Sequence, residues 1–259
     1  MSRSLTALVT GASRGIGRAI ARELSTRGVR VGVHYHQNRS AAEQTLSLLA
    51  GSSHALLSGD IANSADVQKL WSDACTQLGA IDVLINNAAI YEPHPPLETD
   101  YPSWQSAWQR TLAANLQGPA HLSHLAVQQM SANTIRAEDG FGRGRIVNIS
   151  SRGAFRGEPE SPAYGASKAG LNALSQSLAK ALAPHAIYVY CLAPGWVETD
   201  MASDHLTGPG GAEILAQHPL GRVARADEIA RSAVFCALDA PAAMTGSIID
   251  LNGASYLRT

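Results

Sequence analysis

Short apolar runs rich in β-formers alternate along this chain with longer stretches of helical periodicity. The runs read LTALVT, VRVGVHY, HALLS, IDVLI, RIVNIS, IYVYCLA and GSIIDL, and each has the length of a strand. Between them the spacing of apolar positions predicts helices over residues 16–26, 40–49, 65–78, 103–130, 163–183, 212–217 and 227–238. About seven strands divided by helices predict an α/β fold, a doubly wound parallel sheet with helices on both faces. In such a sheet ligands bind outside the carboxyl ends of the strands. The glycine loop at Gly11, the neighbours Asn86 and Asn87, Ser151, and the turn at Pro194 and Gly195 all follow strands, so they are expected to converge.

No internal repeat or linker interrupts the pattern, and residues 1–259 are expected to form a single domain. Two segments read as loops: 132–145, which is polar and glycine-bearing, and 207–211, which is placed to act as a mobile lid. With 45% hydrophobic and 16% charged residues the chain can bury a full core. A net charge of -1 offers no electrostatic footprint for nucleic acid or an anionic membrane, and small molecules are the expected partners. The apolar run before the first glycines is too short for a signal peptide, and no stretch is apolar enough to span a bilayer; a cytoplasmic location is expected. Cys75, Cys191 and Cys236 are far apart and outside any C-x-x-C pattern, which argues against disulfides and against a zinc site; no metal is expected.

The chemistry is concentrated in SPAYGASKAG. Tyr164 and Lys168 stand four apart on a predicted helix and so share a face. An ammonium there is expected to lower the phenol from its usual ~10 toward working pH, making it a proton donor or acceptor. Ser151 ends the strand upstream, where its hydroxyl is placed to hold a carbonyl oxygen for the tyrosine. Taken alone, a tyrosine and a lysine at this spacing also fit a core ring beside a solvated charge.

A cofactor site is expected at the loop carrying Gly11, Ser13, Arg14, Gly15, Ile16 and Gly17, which lies between the first strand and the first helix. Its glycines allow a tight turn and close approach of a pyrophosphate, whose charge a helix N-terminus favours. An NAD-preferring site places an acid roughly 20 residues further on. Here the second strand runs into His36, Asn38, Arg39 and Ser40, and no acid lies between Glu23 and Glu43. That absence, with Arg14 and Arg39 at hand, fits a 2′-phosphate and hence NADP(H); Arg39 also reads as a solvated side chain, and Ser40 as a helix cap. Asp60 and Ile61 suit the adenine edge, although Asp60 equally suits a cap, and Asn87, Ala88 and Ala89 are small enough for close backbone approach or simply form a turn.

In order along the chain, TGASRGIG, GDI, NNAA, AANLQGP, NISS, YGASK and PGWVETDM resemble the short-chain dehydrogenase/reductase family. The resemblance implies a Rossmann-type fold, a nicotinamide cofactor and a catalytic set of Asn115, Ser151, Tyr164 and Lys168. It further implies that Tyr164 is the general acid in ketone reduction, that Lys168 holds the nicotinamide ribose, and that Asn115 supports a proton-supplying water chain. Pro194, Gly195, Val197 and Thr199 would lie near the carboxamide and phosphates, and a homotetramer or homodimer would form on the helices at 103–130 and 163–183. The nearest pattern is the 3-oxoacyl-carrier-protein reductase type, which implies a carbonyl substrate. Ala89 and Ala254 depart from it where glycines are usual, and Tyr190 where an asparagine is common. HYHQNRSAAE and NNAAIYEPHPPLE are similar to pteridine reductases, which makes that activity the alternative; a non-catalytic cofactor sensor is a third. Tyr91, His94, Trp104, Arg152, Phe155, Arg156 and Trp196 are candidate pocket residues, the two arginines suiting an anionic substrate group. Arg143 and Arg145 suit an acidic carrier protein, or read as ordinary surface charges.

Overall fold

The computed structural model describes residues 4–136 and 140–258. Its strands are β1 (Thr6–Val9), β2 (Arg30–Tyr35), β3 (Ala55–Ser58), β4 (Val83–Asn86), β5 (Gly144–Ile149), β6 (Ile187–Pro194), β7 (Val197–Glu198), β8 (Ala224–Arg225) and β9 (Ile248–Leu251). Seven of them form one sheet in the order β3-β2-β1-β4-β5-β6-β9, with every neighbouring pair parallel. The chain winds outward from β1 to β3 and then returns to β4 on the other side of β1. A crevice therefore opens at the carboxyl ends of β1 and β4, where the winding reverses. Strands β7 and β8, which the apolar pattern did not reveal, pair only with each other.

The helices are α1 (Gly15–Thr26), α2 (Arg39–Ser47), α3 (Ser64–Leu78), α4 (Tyr101–Leu112), α5 (Gly118–Met130), α6 (Gly153–Arg156), α7 (Pro162–Leu182), α8 (Asp200–Thr207), α9 (Gly211–Ala216) and α10 (Ala226–Val234). Alternation along the strands sends successive side chains to opposite faces. Ala7, Val9, Val31, Val33, Val83, Ile85, Val147 and Ile149 pack with α1 and α10 through Ile20, Leu24, Ala230 and Ala233. Leu8, Leu57, Leu84, Ile146 and Val189 pack on the other face with Leu70 of α3, Leu122 of α5 and Ala179 of α7. Burying an aliphatic side chain of this kind stabilises the fold by about 1.5–3 kcal/mol.

Three departures from the sequence pattern matter. Helix α8, just before the loop expected at 207–211, covers a stretch for which the apolar pattern predicts no element. The long helix over 103–130 is interrupted by a π-helical segment, Ala113–Gln117. Arg145 is no surface charge: it is 1% exposed, donates to the carbonyls of Phe141, Gly140 and Cys236, and stacks against Phe141. Within the loop-like stretch 132–145, residues 137–139 lie outside the described residues, and Arg136 and Gly142 flank them as an antiparallel bridge.

Candidate active site

The glycine loop leaves no room for side chains. Gly11 adopts φ +63, and a Cβ there would lie 2.9 Å from Ala88 Cα. Gly15 adopts φ +54, and a Cβ on Gly17 would lie 2.3 Å from the Gly11 carbonyl oxygen. Asn87 holds the same turn by donating to the carbonyls of Thr10 and Gly11 at 2.9 and 3.2 Å. The first N–H groups of any helix lack intrahelical partners. In α2, α3 and α4 the side chains of Asn38, Asn63 and Asp100 cap them. Helix α1 has no side-chain cap and no acid in its first turn, and Gly15, Ile16 and Gly17 line the cavity. Uncapped donors at a positive helix end fit a pyrophosphate.

Beneath the loop lies His34, which the sequence reading passed over as one polar residue in an apolar strand. It is 1% exposed. Its Nε2 donates to the Gly59 carbonyl at 3.0 Å, so Nδ1 is the unprotonated nitrogen and accepts from Gly11 N–H at 3.1 Å. Burial pushes the imidazole down to about 4, against a weaker upward pull from the Gly59 bond. The unfolded chain takes this proton near 6.5 and the folded one not until about 4. Stability is therefore full above 6.5 and falls with pH across that window, by about 3 kcal/mol from this group. Urea titrations should show the wild type losing its advantage over a His34→Asn variant as pH drops through the window; a constant difference would refute the role.

Strand β5 and helix α7 bring the catalytic candidates together. Ser151, Tyr164 and Lys168 line one cavity of about 360 Å³ with Gly11, Arg14 and Asn87. Burial is the largest influence on Tyr164 and pushes it up to about 12, a hydrogen bond with Ser151 pulls it down, and Glu158 and Tyr91 push it further up. The expected lowering by Lys168 is not what the geometry gives. Lys168 Nζ donates to the Ile149 carbonyl at 2.8 Å and lies 5.7 Å from the Tyr164 ring centre. Burial also lowers this ammonium, to about 8. Tyr164 is accordingly protonated across the neutral range. Tyr91 meets its ring edge-on at 5.0 Å.

Asn115 is fully buried in the π-helical segment, off the cavity wall. Its Oδ1 accepts from Ile90 N–H at 2.8 Å and its Nδ2 donates to the Ile90 carbonyl at 2.9 Å and to Ser167 Oγ at 3.3 Å. It thus clamps the strand-end segment that carries Ala88, Ala89 and Ile90 into the cavity.

Of the cofactor candidates, Gly11, Arg14, Gly15, Ile16, Gly17, His36, Asp60, Ile61, Asn87, Ala88, Ala89, Pro194, Gly195, Val197 and Thr199 line this cavity, whereas Ser13, Asn38, Arg39 and Ser40 do not. Asn38 caps α2, and Arg39 pairs with Glu43 at 2.8 Å. Among the substrate candidates Tyr91, Arg152 and Trp196 line it, while His94, Trp104, Phe155 and Arg156 lie outside. His94 instead accepts from Ala163 N–H at 3.1 Å and fixes the start of α7. Glu158 also lines the cavity and was missed, since a lone glutamate in a loop carries no signal. Ala254 takes φ +61, so replacing the glycine common at that turn strains the backbone by roughly 1–2 kcal/mol.

A doubly wound sheet carrying a glycine loop at its winding reversal and a tyrosine–lysine pair beyond β5 defines an NAD(P)-type oxidoreductase, and the chain belongs to the short-chain dehydrogenase/reductase family. Residues 11–253 match the family described as enoyl-(acyl carrier protein) reductase. It is similar to the 3-oxoacyl-[acyl-carrier-protein] reductase FabG of Staphylococcus aureus, at 32% identity over 99% of this chain and 100% of that protein. The FabG of Escherichia coli is 34% identical, with 97% of each chain covered. Among solved structures, the promiscuous reductase LugOII, which catalyses keto-reduction at C1 during lugdunomycin biosynthesis, superposes with a TM-score of 0.84 at 31% identity over 98% of both chains.

Proposed function

We propose that the protein reduces a ketone, a 3-oxoacyl thioester or a related carbonyl, to a secondary alcohol with NADPH. The observation that carries this reading is that Ser151, Tyr164 and Lys168 line the same cavity as an uncapped helix N-terminus. When bound, the nicotinamide supplies the hydride for the carbonyl carbon. Ser151 orients the carbonyl oxygen, and Tyr164 donates its proton to that oxygen. Lys168, anchored at the Ile149 carbonyl, is placed to hold the ribose. Asn115 is a positioning residue that acts through Ile90.

The preference for NADPH rests on charge. The segment after β2 carries His36 and Arg39 but no acid before Glu43, and Arg14 lines the cavity. Arg39 and Glu43 are mostly exposed, and a solvent-exposed pair of this kind contributes little. It is weak enough for Arg39 to exchange Glu43 for a phosphate. The test is reduced-cofactor consumption with an acetoacetyl thioester, simple diketones, dihydrobiopterin and a quinone, in parallel with NADPH and NADH. Ketone or thioester turnover faster with NADPH is expected. Turnover of the pterin alone would make the protein a pteridine reductase, and a preference for NADH would overturn the phosphate assignment.

A further inference from the structure

Arg152 follows Ser151 directly and lines the same cavity, yet is only 2% exposed. Its guanidinium donates to Ser255 Oγ at 2.5 Å and to Gln217 Oε1 at 3.2 Å, both neutral acceptors. Arg156 Nη1 reaches that same Gln217 oxygen at 3.5 Å. Two cations therefore converge on one amide oxygen. Among the described residues no carboxylate forms an ion pair with Arg152; Glu158 lies 3.9 Å from Arg156 Nε instead. Burial raises the Glu158 carboxyl above its ordinary range, against the pull of Arg156 and Arg152. Burial lowers Arg152 only to about 10, so it stays charged at neutral pH.

A buried guanidinium whose hydrogen bonds go to neutral acceptors rather than to a paired carboxylate is costly, and its planar fork suits a carboxylate held by two hydrogen bonds. The neighbourhood is part of the reaction chamber. A Cβ on Gly195, in the cavity wall, would lie 3.4 Å from the Ser255 oxygen that Arg152 holds.

We infer that Arg152, backed by Arg156, is the subsite for an anionic group on the substrate, so that the protein reduces an oxo acid whose carboxylate replaces the Gln217 oxygen. The inference rests on the carbonyl-reductase reading of the same cavity and narrows its substrate class.

Reduction of acetoacetate and levulinate is to be compared with that of their ethyl esters, in wild type, Arg152→Gln and Arg156→Gln, with malonate binding followed by calorimetry. In the wild type at least one acid should exceed its ester in kcat/KM by about tenfold or more, chiefly through KM. Arg152→Gln should abolish that preference and weaken malonate binding by a similar factor, and Arg156→Gln should reduce both by a smaller one. Should Arg152→Gln fail to fold, Arg156→Gln decides. Esters reduced as well as acids by the wild type, or an acid-to-ester ratio unchanged in the folded variants, would overturn the subsite and leave the reductase standing. Lower thermal stability with an unchanged ratio would likewise overturn it, leaving Arg152 as a tie between Ser255 and Gln217. If no carbonyl is reduced, the reductase reading fails for these compounds and malonate decides the subsite: binding that Arg152→Gln abolishes supports it, and no binding to the wild type overturns it.

Discussion

Tyr164→Phe is expected to lower kcat by roughly 10²- to 10⁴-fold while leaving the affinity for NADPH within a small factor of wild type. The substitution removes one hydroxyl and retains the ring. The edge-on contact with Tyr91 at 5.0 Å therefore survives, and α7 keeps its place. What disappears is the hydroxyl that, in the proposed mechanism, gives its proton to the substrate oxygen. Because burial pushes the phenol up to about 12, the wild-type group carries its proton across the neutral range, a state suited to the reductive direction. The same elevation predicts that alcohol oxidation, which needs the phenolate as a base, gains with rising pH. Measuring kcat and the NADPH dissociation constant side by side checks the assignment; a variant retaining more than a tenth of wild-type kcat would remove Tyr164 from the chemistry.

Gly17→Ala is expected to produce the second large effect, with the opposite signature: cofactor affinity falls rather than the rate at saturation. The added Cβ would lie 2.3 Å from the Gly11 carbonyl oxygen and 2.6 Å from Asn87 Nδ2. Since the oxygen is backbone, the loop itself must move. Overpacking of this kind costs about 1–3 kcal/mol. The displacement also breaks the alignment between the loop and the first N–H groups of α1, so the NADPH dissociation constant should rise by about tenfold to a hundredfold. Gly59→Ala is the control, because its nearest neighbour would be Asp66 O at an ordinary 3.5 Å. Equal affinities for the two variants would show that the cradle does not bind the cofactor.

The fold was legible because its central strands are buried on both faces, which writes them as short, mostly apolar runs, too short for helices, between longer stretches of helical period. The doubly wound parallel sheet and the placement of the glycine loop at the strand ends followed from that pattern; the strand order came only with the structure. Helix α8 escaped notice because it is short and polar, and β7 and β8 because two residues carry no period. Arg145 looked like a surface charge because nothing local announces that Phe141 and the carbonyls of Gly140 and Cys236 enclose it. At the site, spacing placed Tyr164 and Lys168 on one side of α7, but it could not say that the ammonium would be drawn to the Ile149 carbonyl, from the neighbouring strand. Arg14 and Arg39 were equal candidates in the sequence. Only the fold sets Arg14 in the cavity wall and Arg39 against Glu43.

The π-helical segment at Ala113–Gln117 makes length itself a heritable property of this protein. A π turn holds one residue more than an α turn, so the helix ahead of Asn115 and the helix behind it are out of phase by about 100°. A deletion of a single residue here would restore an ordinary helix and rotate one half against the other. Either the clamp on Ile90 would be lost, or α4 would present a different stripe to α7. Substitutions along this helix can be tried one at a time in descent, whereas a change in the number of residues alters packing and catalytic support together. Lineages that keep the clamp are therefore expected to vary in composition along this helix while holding its residue count fixed.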